Sequence, residues 1–225
     1  MTPRVVAIVP AAGSGKRLGA HDEKPFVLLA GKPLIIYALK ALDSSKYIDQ
    51  IYVAASPGSL GRLKGIIDKY RISKVVKVVA GGKTRSGSVK NCFDLVAPPC
   101  DIVLIHDGAR PFPGESDIMN SILLAGKYGG CVTAIPVTDT IKLAGKGLFV
   151  RKTIDRSSLW RAQTPQAFRY GILKKALNAV KDSLVVTDDA YALERLGRNV
   201  KIFEGSSRNI KVTTKEDLKI AEVLI

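Results

Sequence analysis

Residues Val5-Val6-Ala7-Ile8-Val9 form an unbroken apolar run, mostly β-branched, that stops at Pro10 and gives way to Ala11-Ala12-Gly13-Ser14-Gly15-Lys16-Arg17. A strand that is apolar on both faces has to be covered on both faces. That is the situation of a parallel strand between two helical layers, whose end delivers the next loop to the edge of the sheet. Small residues in this loop let backbone N–H groups approach phosphate oxygens without interference from Cβ, and Lys16, Arg17 and Lys24 bring positive charge. The loop therefore reads as a cradle for nucleotide phosphates.

Counting excludes two familiar phosphate loops. A Walker A loop ending at Gly15-Lys16 would need glycine where Pro10 stands and a hydroxyl residue where Arg17 stands. A dinucleotide fingerprint through Gly13 and Gly15 would need glycine at Leu18 and an acid at the end of the next strand, where the chain reads Ile51-Tyr52-Val53-Ala54-Ala55.

The same alternation continues along the chain. Short apolar runs at 4–9, 50–55, 74–79, 101–106 and 130–137 predict strands, and amphipathic segments at 33–43, 59–70, 86–96, 115–128, 170–181, 188–196 and 215–224 predict helices. The expected architecture is α/β, a mainly parallel sheet flanked by helices, with ligands at the carboxyl ends of strands. Residues 140–155 break the rhythm with two short β-like stretches around a glycine-containing turn, which predicts a projecting hairpin. Ile141, Leu143, Leu148, Phe149, Val150 and Ile154 on that hairpin call for a covering surface, and a partner subunit is the expected one. At 225 residues and 46% hydrophobic content, one globular domain over 1–225 is expected.

Charge narrows the partners. Thirty-five Lys and Arg against 20 Asp and Glu give a net charge of +15, which favours anionic ligands. The cations are dispersed, aromatic residues make up only 6%, and no nucleic-acid module is legible, so small phosphorylated ligands are expected and nucleic acid is not. No run approaches the roughly 20 apolar residues of a membrane span. Cys92, Cys100 and Cys131 lack metal-ligand spacing and read as reduced thiols in a cytosol-like compartment, or in a plastid stroma if the chain is a processed plant or algal protein.

Other candidate residues sit at strand ends and helix starts. Asp107 in His106-Asp107-Gly108-Ala109-Arg110-Pro111 could face a metal or a ribose or cap a turn, and Arg110 could pair with phosphate or solvate the loop. Gly81-Gly82 lead into Thr84, Arg85, Ser86 and Ser88, where exposed N–H groups and Ser88 could bind a base or phosphate and the hydroxyls could equally cap a helix. Thr187-Asp188-Asp189 opens a helix whose dipole favours the acids, and Thr213 with Glu216 reads as a capping box downstream of Lys211. Ser157 and Ser158 have no accompanying His and Asp, so a hydrolase triad is unsupported.

Taken together, the blocks Ala11-Ala12-Gly13-Ser14-Gly15-Lys16-Arg17, Lys24-Pro25-Phe26, Gly81-Gly82 with Arg85 and Ser88, His106-Asp107-Gly108-Ala109-Arg110-Pro111, Asp139-Thr140, Asp155-Arg156, Gln163-Thr164-Pro165-Gln166, Thr187-Asp188-Asp189 and Lys211-Val212-Thr213 resemble the 2-C-methyl-D-erythritol 4-phosphate cytidylyltransferase family. The resemblance implies a Rossmann-like nucleotidyltransferase fold, a homodimer interlocked by an arm at about residues 138–157, and a Mg²⁺-dependent reaction between CTP and a polyol phosphate. It implies catalytic roles for Arg17, Lys24 and Lys211, and CTP contacts by Ala11, Ala12, Gly13, Ser14, Gly15, Gly81, Arg85, Ser88, Asp107 and Gly108. Arg110, Thr140, Arg156, Thr164 and Thr187 would hold the acceptor, with Thr140 and Arg156 reaching it from the other subunit. The metal would be held mainly by triphosphate, with Asp107 the carboxylate that could join it. The chain departs from the family pattern at Pro25, where the family usually has Gln, and at Pro10, where the block often begins with Leu. Ribitol 5-phosphate cytidylyltransferases share these motifs. A sugar-1-phosphate nucleotidyltransferase and a non-catalytic basic nucleotide- or nucleic-acid-binding protein are the further alternatives.

Overall fold

A computed structural model of the chain describes residues 2–13, 15, 22–179 and 188–225. In chain order its elements are β1 (Val5–Pro10), β2 (Leu28–Leu29), β3 (Lys32–Pro33), α1 (Leu34–Ser44), β4 (Gln50–Ala55), α2 (Leu60–Lys69), β5 (Val75–Ala80), α3 (Arg85–Phe93), β6 (Ile102–Ile105), α4 (Glu115–Tyr128) and β7 (Gly130–Pro136). There follow β8 (Ile141–Ala144), β9 (Val150–Ile154), β10 (Trp160–Arg169), α5 (Tyr170–Ala179), α6 (Asp189–Glu194), β11 (Lys201–Glu204) and α7 (Lys215–Leu224). Seven strands form one sheet in the order β11-β7-β10-β6-β1-β4-β5. β10 runs antiparallel to both neighbours, and every other pairing in the sheet is parallel.

The uninterrupted run of β1 is explained by its two covers. Val5, Ala7 and Val9 pack with Ile35, Leu39, Leu63 and Ile118 on one side of the sheet, while Val6 and Ile8 pack with Val89, Leu173, Ala176 and Leu193 on the other. Alternate side chains point to opposite faces, and each aliphatic one buried contributes roughly 1.5–3 kcal/mol. A third cluster, Leu29, Leu34, Val212 and Ala221, pins the C-terminal segment and α7 beside β2 and α1. From β1 the chain winds outward through β4 to β5, then returns to place β6 on the other side of β1. Loops leaving β1 and β6 therefore diverge, which opens a crevice at the carboxyl ends of these strands.

The helices expected from amphipathic spacing are present, with ends shifted by a few residues, and residues 180–181 of the fifth lie outside the described residues. The hairpin forms as β8 and β9, paired from Ile141 opposite Ile154 to Ala144 opposite Val150. Besides the two-residue strands β2 and β3, two strands of the seven-stranded sheet had no sequence expectation. β10 carries Gln163-Thr164-Pro165 at its centre, where its register against β7 shifts between Ala162 and Gln166, so it shows no apolar run to read. β11 is a four-residue edge strand whose alternation is too short to stand out. The capping box needs correction by one residue. Thr214 caps α7 and accepts from Asp217 N, while Thr213 bonds the Asp217 carboxylate through both its N–H and its hydroxyl.

Candidate active site

The first loop is folded back on itself. Lys24 N donates to Gly13 O at 3.3 Å, and Gly15 adopts φ +69°, where an added Cβ would also meet Lys24 N at 3.0 Å. Only glycine suits both demands. Pro25 occupies the first turn of a short 3₁₀ helix spanning Lys24–Phe26, a position that tolerates a fixed φ and a missing N–H, so the departure from the usual Gln leaves Lys24 at the cleft. Phe26 is buried beneath, with the Arg62 guanidinium 4.1 Å from its ring centre and paired to both carboxylate oxygens of Asp22 at 2.6 Å.

The second loop follows β5. A Cβ on Gly81 would lie 2.6 Å from Ala12 Cβ and 2.9 Å from Ser88 Oγ, so this glycine lets the first loop and α3 come together. Thr84 caps α3 by accepting from Gly87 N at 3.0 Å. Ser88 Oγ accepts from Gly82 N at 3.1 Å and donates to Thr84 O at 3.0 Å, so capping and ligand-facing readings coexist within eight residues of chain. The third loop leaves β6 at His106, and the fourth segment is held to it by Val212 N donating to Ala109 O at 2.9 Å, which brings Lys211 to the same opening.

These four pieces enclose an open cleft of about 580 Å³ at the strand ends. Its electrostatic centre is Asp107. One carboxylate oxygen accepts from Arg85 Nε at 2.7 Å, and the other lies 2.7 Å from Lys211 Nζ and 4.0 Å from Arg110 Nε. Burial pushes the Asp107 carboxyl up, but the Arg85 and Lys211 cations more than offset it and hold the group below the usual carboxylate range. Arg85 spans two acids, since its Nη2 reaches Asp189 Oδ2 at 2.8 Å. Burial disfavours that guanidinium's charge, yet the two carboxylates keep it firmly protonated.

Ala11, Ala12, Gly13, Gly15, Lys24, Arg85, Ser88, Asp107, Gly108 and Lys211 of the expected set all line the cleft. Gly81 stands just behind, against Ala12 and Ser88. Ser14, Arg17 and Thr187 lie outside the described residues. Arg110 and Thr164 are buried behind Asp107: Arg110 Nη1 donates to Asn209 O at 2.7 Å and Nη2 to Ala162 O at 3.4 Å, while Thr164 Oγ1 accepts from Asp107 N at 3.0 Å. Thr140 and Arg156 flank the hairpin and are not among the lining residues, and Arg156 Nη1 donates to the Thr138 carbonyl. Sequence reasoning missed Lys83 and Thr213 in the lining and the part played by Asp189, whose acidic position at a helix start had a sufficient local explanation.

The lining has a simple chemical consequence. Among the described residues Asp107 is its single carboxylate, it holds no His or Cys, and Lys24, Lys83, Arg85 and Lys211 supply positive charge. A carboxylate kept so acidic is a weak general base. The cleft suits a polyanion that brings its own nucleophile. The family model described as IspD, 2-C-methyl-D-erythritol 4-phosphate cytidylyltransferase, matches residues 5–225. The chain belongs to that family. A relative of this name from Geobacillus thermodenitrificans is 46% identical over 220 residues, covering 97% of this chain and 96% of the relative. Another from Pelotomaculum thermopropionicum is 42% identical over 224 residues, covering 99% and 94%. The crystal structure of 4-diphosphocytidyl-2C-methyl-D-erythritol synthase from Anaerococcus prevotii superposes with a TM-score of 0.86 at 30% identity, covering 99% of this chain and 96% of that one. Membership of the cytidylyltransferase family accords with a cleft at the β1 and β6 ends, the strand ends at which open α/β sheets generally bind ligands.

Proposed function

We propose that the chain transfers CMP from CTP to 2-C-methyl-D-erythritol 4-phosphate, giving 4-diphosphocytidyl-2-C-methyl-D-erythritol and pyrophosphate. The observation that carries this reading is the convergence of Lys24, Arg85 and Lys211 on a cleft whose one acid among the described residues, Asp107, is held ionised, in a chain of this family. A phosphomonoester has a second pKa of about 6, so at neutral pH the acceptor phosphate is already an anionic nucleophile and needs no base. Its oxygen attacks the α-phosphorus of CTP, the new P–O bond forms as the bond to the bridging oxygen breaks, and pyrophosphate leaves with that electron pair. The difficulty is electrostatic, because two anions must meet and charge builds on the leaving oxygens. Lys24 and Lys211 line the cleft and would offset that charge, and Arg17 is assigned the same task by family resemblance. Gly13, Gly15 and Gly81 let the loops close on the nucleotide, while Ser88, Arg85, Asp107 and Gly108 face it.

A single ionised carboxylate fits Mg²⁺, which is commonly bound by one or two carboxylates plus substrate phosphates and water. Asp107 would hold it with the triphosphate, and the ion would supply further screening of phosphate charge. In the assembly we propose, a second copy of the chain covers the β8–β9 arm, and Thr140 and Arg156 of one copy join Arg110, Thr164 and Thr187 of the other around the acceptor. The test is mass spectrometry of the product formed from CTP, Mg²⁺ and the methylerythritol phosphate: a cytidyl diphosphate adduct with one equivalent of pyrophosphate is expected, and CMP released by hydrolysis without an adduct would overturn the reading.

A further inference from the structure

We propose that His106 is a positioning residue whose two ring nitrogens, bonded to the Arg110 carbonyl and the Thr164 hydroxyl, close a ring of hydrogen bonds that fixes Asp107, and through it Arg85 and Lys211, at the cleft. His106 is fully buried and touches no solvent, so its polar atoms need partners inside the protein. Its Nε2 lies 2.9 Å from Arg110 O. A carbonyl only accepts, so Nε2 carries the proton. Its Nδ1 lies 3.2 Å from Thr164 Oγ1, which already accepts from Asp107 N at 3.0 Å. The ring is wholly buried and neither nitrogen bonds a carboxylate, so a neutral imidazole with its one proton on Nε2 suits the site. Nδ1 is therefore an acceptor, and the Thr164 hydroxyl proton is directed at it.

The chain of donors has one direction: Asp107 N–H to Thr164 Oγ1, Thr164 O–H to His106 Nδ1, and His106 Nε2–H to Arg110 O. Arg110 N then donates to Asp107 O at 2.9 Å, which closes the ring. His106 N donates to Ile8 O at 3.0 Å and so ties the ring to β1. Arg110 extends it by donating to Asn209 O, two residues before Lys211. The backbone of Asp107 is thus fixed from both sides, and the carboxylate that orients both cleft cations inherits that order. Thr164 keeps only acceptor capacity, so any substrate group it meets must be a donor such as a hydroxyl.

Two measurements test this. The ¹⁵N–¹H spectrum of the imidazoles in the wild-type chain at neutral pH should show His106 protonated at Nε2 alone; protonation at Nδ1 would overturn the ring. The kinetic test rests on the cytidylyl-transfer reading. His106→Asn keeps an acceptor for Thr164 but does not reach the Arg110 carbonyl, and should lower kcat/KM for CTP on the order of tenfold to a hundredfold. Because His106 acts through Asp107, the double variant with Asp107→Asn should be no slower than Asp107→Asn alone; losses that simply multiply would contradict the proposal. If the wild-type chain transferred CMP to neither acceptor, the functional reading would fail, while the imidazole spectrum would still decide the ring. It also decides the case in which the substituted chains do not fold.

Discussion

An unpaired carboxylate buried as deeply as Asp107 would be strongly disfavoured, and the two cations beside it reverse that balance. The same pairs hold Arg85 and Lys211 in place and partly neutralise them. Lys24 brings positive charge to the cleft from the first loop, and it should weigh most on the chemical step. Lys24→Ala is expected to lower kcat about a hundredfold or more, as loss of an electrostatic stabiliser does elsewhere, with an unaltered circular dichroism spectrum. An unchanged kcat would remove Lys24 from the catalytic set. His106 gives a stability signature. Its folded pKa of about 4 is below the ordinary 6.5, so between these values the unfolded chain binds more protons, and stability falls as pH drops from 6.5 toward 4. The loss contributed by this one group is about 3 kcal/mol over that window. Asp107, also depressed, keeps its stabilisation above its ordinary 3.8 and loses it only at lower pH, as the solution falls through its folded value. Urea midpoints followed between pH 7 and 4 should slope downward in the wild type and more gently in His106→Asn; parallel slopes would mean that His106 does not titrate as described.

Elements matter here chiefly for how closely they approach. Because Gly81 leaves only 2.6 Å between a would-be Cβ and Ala12, Gly81→Ala must push the first loop away from α3. Overpacking of this kind typically costs about 1–3 kcal/mol, and the displaced loop should raise the KM for CTP more than it lowers kcat. Isothermal titration with CTP and a thermal melt would show both effects, and wild-type affinity in the variant would mean the loop does not contact the nucleotide. Legibility in the sequence followed the same physics. β1, β4 and β6 were readable because burial on both faces demands apolar residues in succession, and the amphipathic helices because one face of each is buried. β10 was not, because its centre is stabilised by polar side chains: Gln163 accepts from Asn209 Nδ2, and Gln166 bonds both Asp188 and Ala190 N. The glycines and Lys24 of the first loop were legible from their spacing after a strand. Asp189 was not, since its pairing with Arg85 joins α6 to α3 and nothing local announces it.

At the scale of the whole molecule, the β8–β9 arm carries Leu148 at 87%, Phe149 at 78% and Val150 at 62% exposure, more apolar surface than a short two-stranded ribbon holds alone in water. The proposed second copy answers that exposure and would carry Thr140 and Arg156 to a cleft they do not line in their own chain. Phe149→Glu should shift the protein from dimer to monomer in sedimentation and lower transfer activity, whereas a wild-type chain that sediments as a monomer at micromolar concentration would remove the arm from dimerisation. Among the described residues no helix is long and apolar enough to cross a membrane. The central claim concerns the acceptor, because ribitol 5-phosphate would present a similar phosphate and hydroxyls to the same cations. Pyrophosphate release with CTP and Mg²⁺ should therefore be measured with 2-C-methyl-D-erythritol 4-phosphate, with ribitol 5-phosphate and with no acceptor. Rapid release with the methylerythritol substrate alone is the expected result; preference for ribitol 5-phosphate, or silence with both, would contradict it.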